Sequence, residues 1–476
     1  MNKKIVIIGA GPSGIAAATR LKSNGFQNIT ILEAEQRIDG RINTIQYGEN
    51  VLDMGAQWCH GEKGNVVYDM AKDKNLLATS VPTDQTFNFI RSNGERIPPN
   101  QAVKLTSIYS EILDGFEEEK SVYSGSFGNF FAEKYKQILT ADKYNDIESP
   151  LIEQIFDCFH KCENTFDASD DWYETSCRSS VEYWACEGNQ TLNWKDKGYR
   201  IVLDLLQNKI PNESGAHVVD ILPHVQLNRE VQKIVYNNDS SGDPIRIECI
   251  DGSAYTVDHL ICTVSLGVLK ERHLNLFEPM LPYAKINTID GLKFGTVDKI
   301  YIEFDAPFWS EEWEGMSLVW RPEELKIIRN DPVNGGWLEG VTGYYRVTFQ
   351  PNILCGRISG PLARLMEQKT NEEVKTGVMK LIRMFLKSWN VTDPKSLIRS
   401  KWQSNSHFRG SYSNITLESD ALGATITKLA EPINDKNGKP ILQFAGEATD
   451  QHHFSTVHGA IGSGWREAER LIDLYR

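Results

Sequence analysis

No apolar run in this 476-residue chain approaches the ~18–20 residues needed to cross a bilayer, so no membrane-spanning segment is expected. Cysteine is sparse. A chain this long buries a large core without staples, so its 8 Cys need no disulfide role. Basic residues are in deficit, 51 Lys+Arg against 64 Asp+Glu for a net charge of -13. That balance argues against a nucleic-acid partner and is compatible with a cationic small molecule, which a negative field attracts. Internal repeats, low-complexity tracts and a Pro/Gly/Ser linker are also missing. At roughly 100–200 residues per domain the length suggests two to four domains or one large interleaved architecture. Without a linker, two domains are expected to interleave. The opening MNKK enters the strand-like Ile5–Ile8 without an apolar signal segment. The tail Asp473-Leu474-Tyr475-Arg476 is neither a peroxisomal nor an ER-retention signal, so a cytoplasmic location is expected.

What is present is ordinary globular material, 40% hydrophobic and 24% charged, with 36 Gly and 18 Pro. Lys4–Gly9 reads as a buried strand, Pro12–Lys22 as the helix after it and Ile29–Glu33 as a second strand. Residues 64–75, 100–119, 127–139 and 144–162 have spacing that suits helices, as do 374–388 and 456–475. Asp167–Glu187 is polar, acidic and aromatic and reads as loop. Strand-like runs are Val231–Tyr236, Ile245–Ile250, Leu260–Val264, Val297–Phe304, Trp337–Phe349, Ser396–Trp402 and Ile441–Ala445. Asp251-Gly252 marks a hairpin turn between two of them.

The first strand ends in Gly9-Ala10-Gly11-Pro12-Ser13-Gly14 and a helix follows. Such glycines permit a tight turn and let the backbone approach a pyrophosphate seated on the helix N-terminus. Glu33 closes the next strand at the distance where a carboxylate accepts from ribose hydroxyls. A plain strand-to-helix turn is the alternative. Whether a nicotinamide or a flavin nucleotide sits here is left open by the turn itself.

Other stretches narrow the choice. They are DMGAQWCHG at 53–61, LNREVQKIVY at 227–236, TVSLGVLK at 263–270, GLKFGTVDKIYIEFDAPFW at 291–309, KWQSNSHFRGSYS at 401–413 and FAGEATDQHHFSTVHGAIGSGWREAERL at 444–471. In this order, with the GAGPSG turn, the chain resembles the flavin-containing amine oxidases, specifically their polyamine oxidase group. The resemblance implies an α/β fold in which a Rossmann-like FAD-binding domain interleaves with a substrate-binding domain of mixed sheet and helices. The FAD-binding part is expected at 1–80, 200–270 and 395–476, and the substrate part at 81–199 and 271–394.

The resemblance also assigns roles. Lys299 matches a lysine that reaches the reactive flavin nitrogen through water; by periodicity alone, Asp298 and Lys299 lie on opposite strand faces and either could be the solvated one. His60 falls in the segment beside the flavin and the amine. Tyr412 matches one wall of an aromatic cage, and Thr456 stands where monoamine oxidases carry the second wall, which opens the cage to a longer amine. Ser411 replaces the cysteine that bonds covalently to flavin in monoamine oxidases, so noncovalent FAD is expected. Cofactor contacts are expected from Gly9, Gly11, Ser13, Gly14, Glu33, Arg41, Gly55, Ala56, Val231, Trp402, Gly446, Glu447, Thr456, Val457 and Ala460. Glu182, Glu187 and Asp196 are candidates for the distal amines. Asp39 replaces a glycine of the family's GGR turn, a position where Asp tolerates positive φ better than most residues.

The implied reaction moves a hydride from the carbon beside a secondary amine to flavin, hydrolyses the imine to an aminoaldehyde and a shorter amine, and regenerates the flavin with oxygen, giving hydrogen peroxide. The rivals are another flavin amine or amino-acid oxidase, with Arg346 or Arg357 for a substrate carboxylate, and a low-turnover FAD-binding regulatory protein. No metal site is expected, because Cys158, His160, Cys162, Cys177 and Cys186 do not follow zinc spacings.

Overall fold

Ile5–Ile8 can be apolar at every position because both of its faces are covered. Ile5 and Ile7 pack with Ile15, Ala16, Ile461 and Leu471, while Val6 and Ile8 pack with Ile234, Ile247 and Leu260. That is the signature of a central parallel strand. The structure, a computed structural model, describes residues 1–80, 88–210, 217–236, 245–333 and 336–476.

The strand is central in a six-stranded sheet ordered Ile433–Asn434, Pro440–Phe444, His259–Cys262, Ile5–Ile8, Ile29–Leu32 and Val225–Gln226. Its pairings are parallel except at the Ile433–Asn434 edge. Pro12 starts the following helix, Pro12–Ser23, at a position where its missing N–H costs nothing. The last helix, Val457–Tyr475, shares one apolar cluster with it. A four-stranded sheet of Ala254–Val257, Ile245–Cys249, Val231–Val235 and Phe277–Glu278 covers the other face, and its hairpin turns at Asp251-Gly252 as the sequence predicts.

A second six-stranded sheet runs Ser396–Arg399, Val297–Glu303, Gln350–Ser359, Val341–Val347, Gly315–Val319 and Phe89–Arg91. Strand alternation divides Val297–Glu303 between two environments. Ile300 and Ile302 enter a core with Leu381, Ile382 and Phe385, whereas Tyr301 enters a smaller one with Leu52, Met54 and Cys355. Neither face is solvated: Asp298 is 0% exposed and Lys299 8%. The helices Pro99–Asp114, Phe127–Ile138 and Ser149–Phe166 pack through an aromatic core that includes Phe130, Phe131, Phe159 and Trp172.

Several boundaries differ from the sequence expectation for local reasons. The 100–119 helix ends at Asp114, where Gly115 takes an extended conformation and Phe116 turns to φ 60°. The 144–162 helix begins only at Ser149, one residue before Pro150, and runs on to Phe166. The 64–75 helix is Val66–Ala71 with a 3-10 turn at Lys72–Lys74. Trp337–Gly340 is a 3-10 turn, and the strand begins at Val341. The 374–388 helix starts earlier, at Asn371, because Thr370 and Glu373 form a capping box. No helix of the described residues is long and apolar enough to cross a membrane.

Candidate active site

One cavity of about 690 Å³ joins the two six-stranded sheets. It begins at the glycine turn, where Gly9, Gly11 and Ser13 form its wall, and passes Glu33, Arg41 and Val231. It continues along Gly55, Ala56 and Trp402 to Lys299 and Tyr412. Gly446, Glu447, Thr456, Val457 and Ala460 close one side, and His60 lies at the rim of the same space. The structure thus gathers into one place residues that the sequence scatters from position 9 to 460.

At the turn, Gly9 adopts φ 102°, and a Cβ on Gly14 would run into the Gly9 carbonyl oxygen. Gly14 therefore lies under the turn rather than in the wall, and lets helix and strand approach. The Glu33 carboxylate accepts from Ala10 N at 2.7 Å and Glu35 N at 2.9 Å, and burial raises its pKa. Each oxygen keeps a further lone pair for a ribose hydroxyl. Asp39 takes φ 97°, donates its N–H to Ala10 O and ion-pairs with Arg37, so the next turn is fastened beneath the first.

Arg41 and Glu447 meet in this wall. Arg41 Nη1 donates to Glu447 Oε1 and to Ser411 O, both at 2.8 Å. The second carboxylate oxygen of Glu447 accepts from Ser413 Oγ at 2.7 Å and Ser455 N at 3.0 Å. The carboxylate thus ties three segments together. Trp402 packs edge-on to Phe408 and donates from Nε1 to Met54 O at 3.3 Å. Ser411 Oγ accepts from Val297 N at 2.8 Å and donates to Val297 O at 2.9 Å, which holds the strand that carries Lys299.

Lys299 reaches across to the DMGAQW segment. Its Nζ donates to Asp53 O at 2.9 Å, Gly55 O at 2.7 Å and Gln57 Oε1 at 2.7 Å. Three acceptors match the three N–H bonds of an ammonium and offset its burial, which still lowers the pKa to about 8. Trp58 and Tyr301 flank it at 5.6 and 6.0 Å from their ring centres. Directly across the antiparallel pair stands Arg357, whose guanidinium lies 4.6 Å over the Trp58 ring and whose side chain lines the cavity. Arg346, its companion in the sequence reading, is not in the cavity wall and instead donates to Glu311 O and Trp313 O.

Tyr412 is fixed by its hydroxyl, which donates to Thr165 O at 2.6 Å. Thr456 is committed to the backbone. It caps the last helix by accepting from Gly459 N at 3.0 Å and donates to His453 O at 2.6 Å. The 19-residue helix thereby aims its N-terminus at the cavity through Val457 and Ala460. His60 holds Gln190 O through Nδ1 at 2.7 Å.

The three carboxylates expected for distal amines are elsewhere. Glu187 is 74% exposed and pairs with Lys63, Asp196 is 75% exposed and pairs with Lys197, and Glu182 is exposed as well. None lines the cavity. Glu182 ends the 3-10 turn Arg178–Glu182, and all three side chains point to solvent. The carboxylate that does line this end is Asp167, two residues beyond the carbonyl that holds Tyr412. Buried Glu163 is its neighbour, accepting from Tyr109, and burial raises both carboxyls above their ordinary range. The sequence reading passed over Asp167 because it opens an acidic, loop-like stretch; the signal was the spacing from a helix end, not the residue itself.

A flavin dinucleotide fits these residues. The turn is clear of side chains where a pyrophosphate would approach, a carboxylate stands at ribose distance, and a positive helix end faces the far half of the cavity.

Comparison with known proteins agrees. The family described as flavin containing amine oxidoreductase matches residues 12–472. The peroxisomal N(1)-acetyl-spermine/spermidine oxidases of Bos taurus and Homo sapiens are each 27% identical to the chain, over 99% of it and 95% of their own length. A putrescine oxidase structure redesigned in its cofactor binding shares the fold, with a TM-score of 0.69, 17% identity and 99% of each chain covered. With a family match that runs almost from end to end and a cavity built as that chemistry requires, the chain belongs to the flavin-containing amine oxidoreductases.

Proposed function

We propose that the protein is an FAD-dependent oxidase of polyamines, taking spermine, spermidine or an N-acetylated form, with FAD held noncovalently. The observation that carries this reading is the single cavity that runs from a dinucleotide turn to a lysine, an aromatic wall and, at its far end, a carboxylate. Held by the glycine turn, Glu33 and the N-terminus of the last helix, FAD would supply the two-electron chemistry that oxidises the carbon beside a secondary amine nitrogen and reduces molecular oxygen to hydrogen peroxide. The imine left on the substrate hydrolyses to an aminoaldehyde and a shorter amine.

The chain's own part is to hold, orient and exclude. Tyr412 offers a ring face to a passing cation. Asp167 faces the cavity where a distal ammonium of a long amine needs a counter-charge. Lys299 holds a positive charge beside the reacting region and fixes the Asp53–Gln57 segment through three hydrogen bonds. Ser411 spends its hydroxyl on Val297, which supports noncovalent attachment.

The division into an FAD-binding part and a substrate part is supported by the sheets. The parallel sheet draws only on 5–32, 225–262 and 433–444. Phe277–Glu278 pairs with Val231–Val235 beside the parallel sheet, and Ser396–Arg399 pairs with the other sheet, so the two boundaries we propose there lie beyond Glu278 and beyond Arg399. A cytoplasmic location belongs to the same proposal and is tested by cell fractionation.

Arg357 favours a second reading. A guanidinium beside Lys299, on the paired strand of the same sheet, suits a substrate that carries a carboxylate, as an amino-acid oxidase requires. Steady-state rates on spermine, spermidine, N-acetylspermine and N-methylated amino acids, with product identification, separate the two. Turnover of the polyamines supports the first reading; turnover confined to carboxylated amines replaces it with the second.

A further inference from the structure

Cys186 is separated by more than 260 residues from His453 and His458, yet the three meet. One ligand atom from each lies within 4.8 Å of the others, and Cys186 Sγ is 3.9 Å from His458 Nε2. The two imidazoles have ring centres 5.0 Å apart at 63°, so they converge instead of stacking. We propose that Cys186, His453 and His458 form a three-ligand site for a borderline-soft divalent cation, with Zn²⁺ as the ion to test.

A tetrahedral zinc ion with one sulfur and two nitrogen ligands brings its donor atoms to about 3.4–3.6 Å from one another. Closing the observed spread takes roughly 1 Å of side-chain movement, a change of χ angle and not of backbone. The surroundings are those of a metal site. Asp450 Oδ1 lies 3.5 Å from His453 Nδ1 and also accepts from His453 N at 2.9 Å, the carboxylate-to-histidine support that fixes ring and tautomer. His458 is 4% exposed, so its ring is held in place by its surroundings. Cys186 is 6% exposed, with its Sγ turned toward the two imidazoles.

The segments that bring the ligands together are already fastened. Trp184 donates its N–H to His452 O at 2.8 Å and stacks on the His452 ring at 3.5 Å. Three protein ligands leave one position open, as in zinc sites that exchange water. His458 also lines the cavity while Cys186 and His453 stand behind it. An ion here places positive charge beside the path of a cationic amine. Zinc is therefore an inhibitor of amine turnover, a consequence that rests on the proposed function.

The test uses the flavin-loaded enzyme, stripped with a chelator and dialysed to equilibrium against Zn²⁺. Wild type is expected to take up one Zn²⁺ per chain. Cys186→Ser and His453→Phe are each expected to lose at least tenfold in affinity while keeping their flavin, which shows that they are folded. No stoichiometric uptake by wild type, or unchanged uptake in both variants, overturns the site. Zinc inhibition that is relieved in Cys186→Ser supports the consequence; equal inhibition of wild type and variant places the ion elsewhere and overturns it. If no amine is turned over, the dialysis result still decides the site.

Discussion

At the Gly9–Gly14 end of the cavity the wall is backbone: a turn that crosses positive φ, a helix N-terminus and one carboxylate held by main-chain N–H groups. At the Lys299–Tyr412 end the wall is side chains brought from residues 53–58, 165–167, 297–299, 357 and 412. The first end is made by the Gly9–Gly14 turn with Glu33, and at Gly14 it leaves no room for a Cβ. The second is an assembly in which each part is held by another, Lys299 by three acceptors, Tyr412 by Thr165 and the Val297 strand by Ser411. Recognition by backbone fails all at once, whereas recognition by an assembly fails in degrees.

The largest expected effect is therefore at the backbone end. Gly14→Ala drives a Cβ into the Gly9 carbonyl oxygen, and a clash with an atom of the main chain that cannot swing aside costs over ~4 kcal/mol. The flavin-to-protein ratio of the purified variant should fall to near zero; full flavin content would show that the turn yields.

Next comes Lys299→Met, which removes the ammonium donor from Gly55 O and Gln57 Oε1 and leaves Asp53 O with the Tyr301 hydroxyl alone. Flavin should be retained, with flavin reduction or reoxidation slowed by about 100-fold. Wild-type rates in both half-reactions would remove Lys299 from the machinery.

Asp167→Asn is expected to raise KM for spermine by about tenfold, the loss of one charge-assisted contact, with little change for an amine that lacks a distal cation. Equal changes for both amines would make Asp167 a structural residue only.

The pH dependence sharpens the same end. Burial raises the Asp167 carboxyl, so its anion is lost as pH falls through that raised value, earlier than for an ordinary carboxylate. The reacting amine nitrogen must also be neutral to release hydride. Both effects run one way below pH 8, where Lys299 still holds its proton, and the rate of flavin reduction should climb from pH 6 to pH 8. A flat profile contradicts the account.

The smallest effects belong to Glu187→Gln and Asp196→Asn, exposed partners of Lys63 and Lys197. Their KM values should stay within about twofold of wild type, as expected of surface pairs.

This asymmetry also explains what could be read from the chain. The glycine turn, Glu33 and the positive φ at Asp39 are local consequences of local sequence, and the structure places them as their spacing implies. The covered parallel strand and the Asp251-Gly252 hairpin were equally legible. Lys299 was readable only through resemblance, because strand alternation left open which of Asp298 and Lys299 was buried, and both are. Asp167 and Arg357 owe their place to sheet register and a helix end, which no local pattern encodes. Thr456, expected where the cage opens, spends its hydroxyl on capping a helix. The Cys186–His453–His458 group was hidden for the same reason, since metal spacings in sequence describe sites made by one segment.

The central claim is that the side-chain end of the cavity presents a polyamine to bound flavin. Mixing the flavin-loaded enzyme anaerobically with spermine, spermidine and N-acetylspermine tests it most directly. The account predicts bleaching of the flavin band by at least one of these amines; a band left unchanged by every amine tried would contradict it and mark the protein as one that binds FAD without oxidising amines.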